Sequence, residues 1–162
     1  MSNIWFGSDF HLGHKNIQKF RTEVSSQKEN EERICHEVNA IVGKRDTLFL
    51  LGDICFTMEA IQLISSCPGT KYLVRGNHDQ LNTSVYLKVF KEVYGLLKYK
   101  EFWLSHAPIH PNELRGRINL HGHVHYHSIS DKEYFNCCPE NLWKLKGRCL
   151  ISLEELREHY RT

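Results

Sequence analysis

Short apolar segments alternate with amphipathic segments in the first half of the chain. Asn3–Gly7, Thr47–Leu51 and Lys71–Val74 are compact, rich in β-branched or aromatic residues, and followed by polar or glycine-containing turns. This pattern is typical of buried strands. Gln27–Val42 instead carries apolar residues at helical spacing and stops before Gly43, so we predict a helix there.

Two further helices are predicted over Met58–Ser65 and Ser84–Tyr94. The second follows the cap-like sequence Asn82-Thr83-Ser84 and stops at Gly95. Strands and helices therefore alternate in this half, an order that predicts an α/β sheet with helical crossovers.

The second half has a different pattern, because its strand candidates follow one another without long helices between them. These candidates are Leu96–Tyr99, Phe102–Ser105, Ile118–His121 and Tyr134–Cys138. We therefore expect a more antiparallel arrangement in this half. The segment from Ser152 to Glu155 has the pattern of a capping box and predicts a short final helix.

Composition limits the class of protein. The length of 162 residues predicts one domain over residues 1–162. Hydrophobic residues make up 41% and charged residues 25%, which excludes wholesale disorder. The net charge of +2 argues against dependence on bulk electrostatic attraction, although it neither requires nor excludes a nucleic-acid substrate. The 11 histidines stand out, because histidine is the commonest metal ligand.

The chain carries no visible signal peptide and no apolar stretch long enough to cross a membrane, so we expect a cytoplasmic protein without a membrane partner. Six cysteines occur without a Cys-x-x-Cys pair. We interpret them as reduced thiols, because a chain of this length does not need disulfides to fold.

Polar clusters follow five of the predicted strands. They are Asp9-Phe10-His11, Gly52-Asp53, Gly76-Asn77-His78-Asp79, His106 and Gly122-His123-Val124-His125. In open α/β sheets, ligands bind at the carboxyl ends of strands, where such loops converge. Each cluster alone has an ordinary explanation as a helix cap, a turn or a polar strand face. Their joint occurrence at strand ends predicts one site assembled from most of the chain.

The residue types in these clusters fit a pair of divalent ions. Such a pair needs a bridging oxygen ligand, several imidazoles and further oxygen donors, with open positions for water and substrate. A mixed nitrogen and oxygen set without thiolate suits Mn²⁺, Fe, Zn²⁺, Co²⁺ or Ni²⁺ better than Ca²⁺.

Taken together, the five blocks resemble those of the calcineurin-like metallophosphoesterase superfamily, over residues 9–125, about three quarters of the chain. The first block, from Ser8 to Ile17, is similar to a small bacterial and phage branch with a Gly-His-x-Asn-Ile extension. The resemblance implies a four-layer α/β sandwich in which two packed mixed sheets are flanked by helices. It also implies a dinuclear site at one end of the sheets, and among the possible metals it favours Mn²⁺.

The resemblance assigns ligands to both ions. The first ion would be held by Asp9, His11, Asp53 and His125. The second would be held by Asp53, Asn77, His106 and His123. Asp53 would therefore bridge the two ions.

The expected reaction is phosphoester hydrolysis by a hydroxide that the two metals activate. A leaving alkoxide then needs a proton, and His78 is the candidate general acid because it follows the metal ligand Asn77. Asp79 either orients the His78 ring or serves as a turn or capping residue.

Substrate contacts are predicted on two loops. His14 and Asn16 follow the first block and are candidates to face the phosphate, with a capped helix start as the alternative. Arg115 and Arg117 are candidates to clamp a phosphate or a second diester arm, with a solvated turn as the alternative.

We expect a metal-dependent phosphoesterase, and we favour a phosphodiesterase acting on nucleotide-type substrates because a small domain without a lid leaves its site open. A phosphomonoesterase is the first alternative, and a catalytically idle metal-binding module that docks a partner protein is the second. The expected partner is a phosphoester substrate, and the expected assembly is a monomer or a small homo-oligomer.

Overall fold

The computed structural model of the protein describes residues 1–161 and shows an α/β fold with two mixed sheets. The strands are β1 (Ile4–Gly7), β2 (Thr47–Leu50), β3 (Thr70–Val74), β4 (Glu92–Tyr94), β5 (Leu96–Tyr99), β6 (Phe102–Ser105), β7 (Ile118–His121), β8 (Tyr134–Asn136) and β9 (Ile151–Ser152). The α-helices are α1 (Gln27–Ile41), α2 (Met58–Ser66), α3 (Thr83–Tyr86), α4 (Pro111–Leu114), α5 (Pro139–Lys146) and α6 (Leu153–Arg161). A short 3₁₀ helix covers Ile17–Lys19.

The first sheet has the order β4-β3-β2-β1-β9. Its first four strands are parallel, and β9 pairs antiparallel with β1. The crossover helices begin where the sequence places capping hydroxyls. The Ser26 hydroxyl accepts from the backbone N–H of Glu29 at the start of α1, and the Thr57 hydroxyl accepts from Ala60 at the start of α2. Both predicted crossover helices are confirmed.

The second sheet has the order β5-β6-β7-β8. The second half of the chain is more antiparallel than the first, as expected, because β5–β6 and β9–β1 are antiparallel pairs while β1 to β4 pair in parallel. Within the second sheet, however, β6, β7 and β8 run parallel. The connections 106–117 and 122–133 are long enough to return the chain to the same end of the sheet, as parallel pairing requires. As a result, the carboxyl ends of β6 and β7 lie at one edge.

The two sheets pack face to face, as expected for the α/β sandwich. Between them lies an apolar core that includes Phe6 and Phe49 from the first sheet and Leu104 and Leu120 from the second. On the outer side of the first sheet, α1 and α2 bury a second core. On the outer side of the second sheet, the segment around α4 is held by a hydrogen bond from Trp103 Nε1 to the backbone carbonyl of Leu114.

The predicted helix over Ser84–Tyr94 is wrong after its first turn. α3 ends at Tyr86, and Glu92–Tyr94 becomes β4, in which Val93 lies opposite Leu73 of β3. Edge pairing with β3 prevails over the local helical spacing here, because it satisfies backbone groups and adds a strand to the sheet.

The helix α5 was not predicted, although it begins with Pro139 at its first position and ends at Gly147 in a left-handed conformation. The final helix is confirmed together with its capping box, in which Ser152 and Glu155 exchange hydrogen bonds. All six cysteines are free thiols, as predicted. Among residues 1–161, the longest helices are too short or too polar to cross a membrane.

Candidate metal centre

The loops that follow β1, β2, β3, β6 and β7 meet at one edge of the sandwich, where the carboxyl ends of these strands lie. They bring together every residue that was predicted to hold a metal: Asp9, His11, Asp53, Asn77, His106, His123 and His125. Their imidazole nitrogens and oxygens form two adjoining groups.

The first group consists of Asp9, His11 and His125, whose ligand atoms all lie within 4.8 Å of one another. The Asp9 Oδ1 atom is 3.5 Å from His11 Nε2 and 3.5 Å from His125 Nε2. Asp9 Oδ1 and both ring nitrogens of His11 are buried without a hydrogen-bond partner. Buried polar atoms are normally paired, so this cluster of unpaired acceptors and donors suits a metal ion.

The second group consists of Asp53, His106 and His123, again with ligand atoms within 4.8 Å of one another. The Asn77 Oδ1 atom lies 2.9 Å from His106 Nε2 and 3.1 Å from His123 Nδ1, so it shares this centre. The other ring nitrogen of His106 donates to the backbone carbonyl of Leu51 at 2.8 Å. That bond directs Nε2 towards the site.

Asp53 joins the two groups. Its Oδ2 atom lies 3.7 Å from His11 Nε2 of the first group and 3.3 Å from His106 Nε2 of the second. One carboxylate oxygen is therefore within reach of both ligand sets.

The backbone at the centre is unusual, because five of the seven residues with a positive φ among the non-glycine residues of 1–161 belong to the predicted ligand set. These five are Asp9, His11, Asp53, His123 and His125, with φ between 51° and 71°. Left-handed conformations outside glycine are uncommon and concentrate at functional sites.

Two glycines allow the loops to approach this closely. A Cβ atom on Gly122 would lie 2.1 Å from Asp9 Oδ2, and one on Gly76 would lie 2.2 Å from Asp53 Oδ1. Any side chain at either position would displace a carboxylate of the centre, which explains the glycine in both motifs.

The charges of the centre are mutually dependent. Burial by itself would raise the pKa of Asp9, but the neighbouring imidazoles, above all His11, lower it well below its usual range. Burial would likewise lower the pKa of His106, yet its contact with Asp53 raises it to about 9. Burial lowers the pKa of His11, which favours the neutral imidazole that a metal requires.

A buried ion pair supports the first group from behind, and sequence reasoning missed it. Glu140 Oε1 accepts from His125 Nδ1 at 3.0 Å and from Arg21 Nε at 2.8 Å. Arg21 is fully buried, and its Nη2 donates to the backbone carbonyl of Asp9 at 2.6 Å. Because Nδ1 of His125 is occupied in this way, its Nε2 faces the site.

A signal for Glu140 was present in the sequence. It follows β8 by four residues and therefore obeys the same strand-end rule as the five recognised clusters. Cys138, at the start of the same helix, donates its thiol proton to Asp9 Oδ2 at 3.3 Å. Burial raises the pKa of Cys138, so the thiol remains protonated and acts as a donor.

Of the two interpretations of Asp79, the one in which it orients the His78 ring is wrong. Asp79 has the turn role instead. Its carboxylate accepts backbone N–H groups from Asp53, Ile54 and Gly76 at 2.7 to 2.9 Å, and a weaker one from Cys55 at 3.3 Å. These bonds tie the β2 loop to the β3 loop. Asp79 thereby fixes the backbone that carries Asp53.

His78 lies beside the centre without belonging to either ligand group. Its ring centroid is 6.0 Å from that of His11 and 5.5 Å from that of Phe56. A cavity of about 700 Å³ opens here, lined by His78, His14 and the candidate ligands His11, His123 and His125. His14 is thus placed where a substrate contact was predicted.

The other three predicted substrate contacts lie elsewhere. The side chain of Asn16 is exposed ahead of the 3₁₀ helix and does not line the cavity. The prediction for Arg115 and Arg117 is wrong, because both precede β7 and therefore lie at the amino end of that strand. Arg117 donates to the backbone carbonyl of Lys100 in the β5–β6 turn, and exposed Arg115 lies 3.7 Å from Glu113.

No family model matches the chain. It is 32% identical to the Gene 66 protein of Mycobacterium phage L5, across 77% of this chain and 78% of the phage protein. It is 28% identical to the Gene 66 protein of Mycobacterium phage D29, across 77% and 79% of the two chains. A crystal structure of the protein of unknown function AQ665 from Aquifex aeolicus has a TM-score of 0.75 and 26% identity, covering 98% of this chain and 99% of that chain. These names state no activity.

Proposed function

The chain belongs to the family of the Gene 66 protein of Mycobacterium phage L5, and from its site we propose that it is a metal-dependent phosphoester hydrolase with two divalent ions. One observation carries the proposal: Asp53 Oδ2 lies between two sets of nitrogen and oxygen ligands, 3.7 Å from His11 Nε2 and 3.3 Å from His106 Nε2. Dinuclear hydrolases of phosphoesters need such a shared oxygen.

The donor set fits the ions that the sequence suggested. Imidazole nitrogens, carboxylates and one amide oxygen converge, while the nearby Cys138 thiol stays protonated. This set suits Mn²⁺, with Fe, Zn²⁺, Ni²⁺ or Co²⁺ as alternatives. Asp9, His11, Asp53 and His125 would hold one ion. Asp53, Asn77, His106 and His123 would hold the other. The order of these residues along the chain also supports the likeness to calcineurin-like metallophosphoesterases.

When bound, the ions supply a hydroxide nucleophile near neutral pH and stabilise the negative charge of the phosphoryl group. The chain itself must deliver a proton to the departing alkoxide. His78 lines the cavity beside the candidate ligands, which supports it as the proton donor. Its backbone N–H also donates to Asp53 Oδ1 at 2.8 Å, which fixes its distance from the centre.

The cavity favours a phosphodiester over a phosphomonoester. Among residues 1–161, the side chains that line the cavity are imidazole, aromatic or aliphatic. They include no lysine or arginine. A monoester carries more negative charge than a diester and gains more from a cationic clamp.

The proposal is tested with Mn²⁺-loaded protein and two kinds of diester. We expect metal-dependent hydrolysis of bis(p-nitrophenyl) phosphate, exceeding that of p-nitrophenyl phosphate. His78→Gln should slow the hydrolysis of a diester with an alkyl leaving group by about 10²–10⁴-fold. The same variant should slow hydrolysis of bis(p-nitrophenyl) phosphate much less, because p-nitrophenolate departs without needing a proton.

His36→Gln is the matched control, since this histidine is exposed on α1. Metal uptake without turnover of any ester would contradict the proposal and favour a module that binds metal and docks a partner. If His78→Gln slows hydrolysis equally for both leaving groups, His78 is not the general acid. The proposed phosphoesterase function would still stand.

A further inference from the structure

We propose that the cavity beside the metal centre is a nucleobase subsite, in which Phe20 and Tyr126 stack on the base of a nucleotide diester. This inference rests on the proposed phosphodiesterase function and names the part of the substrate that the cavity selects.

The cavity has the size and position of a substrate site. Its volume of about 700 Å³ lies within the range of roughly 300–1,000 Å³ that small-molecule sites occupy. The ligands His11 and His125 form one side, and Ile17 and Val124 add an apolar wall. A phosphate bound at the metal centre therefore places one of its substituents in this space.

Phe20 and Tyr126 are large aromatic side chains that are exposed to solvent. Among residues 1–161, they are the two aromatic members of the exposed large hydrophobic side chains, at 66% and 50% exposure. Both line this one cavity, although they are separated by more than a hundred positions in sequence. Exposed aromatic rings gathered at a single cavity mark a binding surface.

Both rings are held in place before any ligand binds. Phe20 stacks on His14 with ring centroids 5.7 Å apart and an interplanar angle of 17°. The hydroxyl of Tyr126 accepts from the backbone N–H of Thr22 at 2.9 Å and also contacts the Glu23 carboxylate. Since little side-chain entropy remains to be lost, such rings bind a flat partner with little ordering cost.

A planar base matches this lining better than an anionic or an aliphatic group. Every base presents a π-face, and the Tyr126 hydroxyl is already engaged, so the rings offer mainly their faces. A second phosphate would find imidazoles but no lysine or arginine among the lining side chains of the described chain.

The test compares two ligands that differ only in the base. Binding of 5′-AMP and of ribose 5-phosphate to Mn²⁺-loaded protein is measured by isothermal titration calorimetry. We expect 5′-AMP to bind about 5- to 150-fold more tightly, the range of one base–aromatic stack. Phe20→Ala should abolish most of this difference, whereas Phe20→Trp should preserve it.

Leu145→Ala is the matched control, because Leu145 is a similarly exposed apolar side chain on α5 outside the cavity. It should leave the affinity ratio unchanged. Equal affinities of the two ligands in the wild type would overturn the subsite, as would a ratio that survives in both Phe20→Ala and Tyr126→Ala. If the subsite is overturned while bis(p-nitrophenyl) phosphate is still hydrolysed, the proposed function stands. If 5′-AMP binds tightly but no ester is hydrolysed, the proposed function is contradicted and the subsite stands.

Discussion

The two ligand groups of the candidate centre differ in how the protein holds them. In the first group, Asp9 and His11 are almost wholly inaccessible, and the half-buried His125 is anchored to the buried Glu140–Arg21 ion pair. The second group includes the exposed His123 and relies on backbone contacts, in particular the bond from His106 to the carbonyl of Leu51.

This difference bears on the order of metal binding. An ion in the first group would be held by ligands whose orientation is fixed from behind. An ion in the second group would be accessible to solvent on the side of the exposed His123, and it would therefore dissociate more easily. We therefore expect a tight and a weaker ion in the same site.

The largest effect is expected for Asp53→Asn, which removes the oxygen shared by both groups. The variant should lose several kcal/mol of transition-state stabilisation, on the order of 10³-fold in kcat/KM. Metal analysis should find one ion per chain or fewer, against two in the wild type. The exposed Glu154→Gln serves as the control. Retention of two ions by Asp53→Asn would show that the groups are independent.

Glu140→Leu should damage the first group selectively. It leaves the Arg21 charge buried without its partner, an effect of about 3–5 kcal/mol on the free energy of unfolding. It should also weaken the tight ion about 10- to 100-fold, because His125 loses the acceptor that orients it. Chemical denaturation and stepwise Mn²⁺ titration measure the two effects. If the weaker ion is affected as strongly as the tight one, the distinction between the groups fails.

Asp79→Asn should lower the free energy of unfolding by a smaller amount, because it weakens the hydrogen bonds that hold the backbone around Asp53. The carboxamide turns an NH₂ group towards backbone donors and leaves at least one of them unpaired, which costs about 1–3 kcal/mol. Urea denaturation of the metal-free protein measures this loss. Glu154→Gln again provides the comparison, and a stability equal to wild type would contradict the bracing role of Asp79.

The last prediction concerns pH. The contact with Asp53 raises the pKa of His106 to about 9, so this imidazole is protonated in the metal-free protein at neutral pH. A metal must displace that proton, and affinity in the second group should therefore rise with pH, about tenfold per unit, until pH 9 is approached. Mn²⁺ titrations between pH 6.5 and 8.5 test the slope, and the His106→Asn variant should flatten it.

The sequence was sufficient to predict which candidate ligands meet, because each one follows a strand and chelating residue types are easily recognised there. It was insufficient for their support. Arg21 lies in a polar loop with no periodicity around it, and its partner Glu140 lies 119 positions away. Only the packing of α5 against the first loop brings them together.

Two errors have a common origin in ignoring strand direction or strand pairing. Arg115 and Arg117 have suitable chemistry, but they precede β7 and so lie at the wrong end of it. Val93 and Tyr94 fit a helical pattern locally, yet they form a strand because they pair with the edge of β3. Local spacing carries no information about either constraint.

The left-handed backbone at Asp9, His11, Asp53, His123 and His125 has a consequence for how this protein would evolve under selection. Glycine adopts that conformation without strain, whereas other residues pay on the order of 1–2 kcal/mol. Selection for heat resistance alone should therefore enrich glycine at these positions, beginning with the exposed His123. Stabilised descendants would then keep the fold and lose the candidate metal centre, because stability and metal binding place opposite demands on the same five residues.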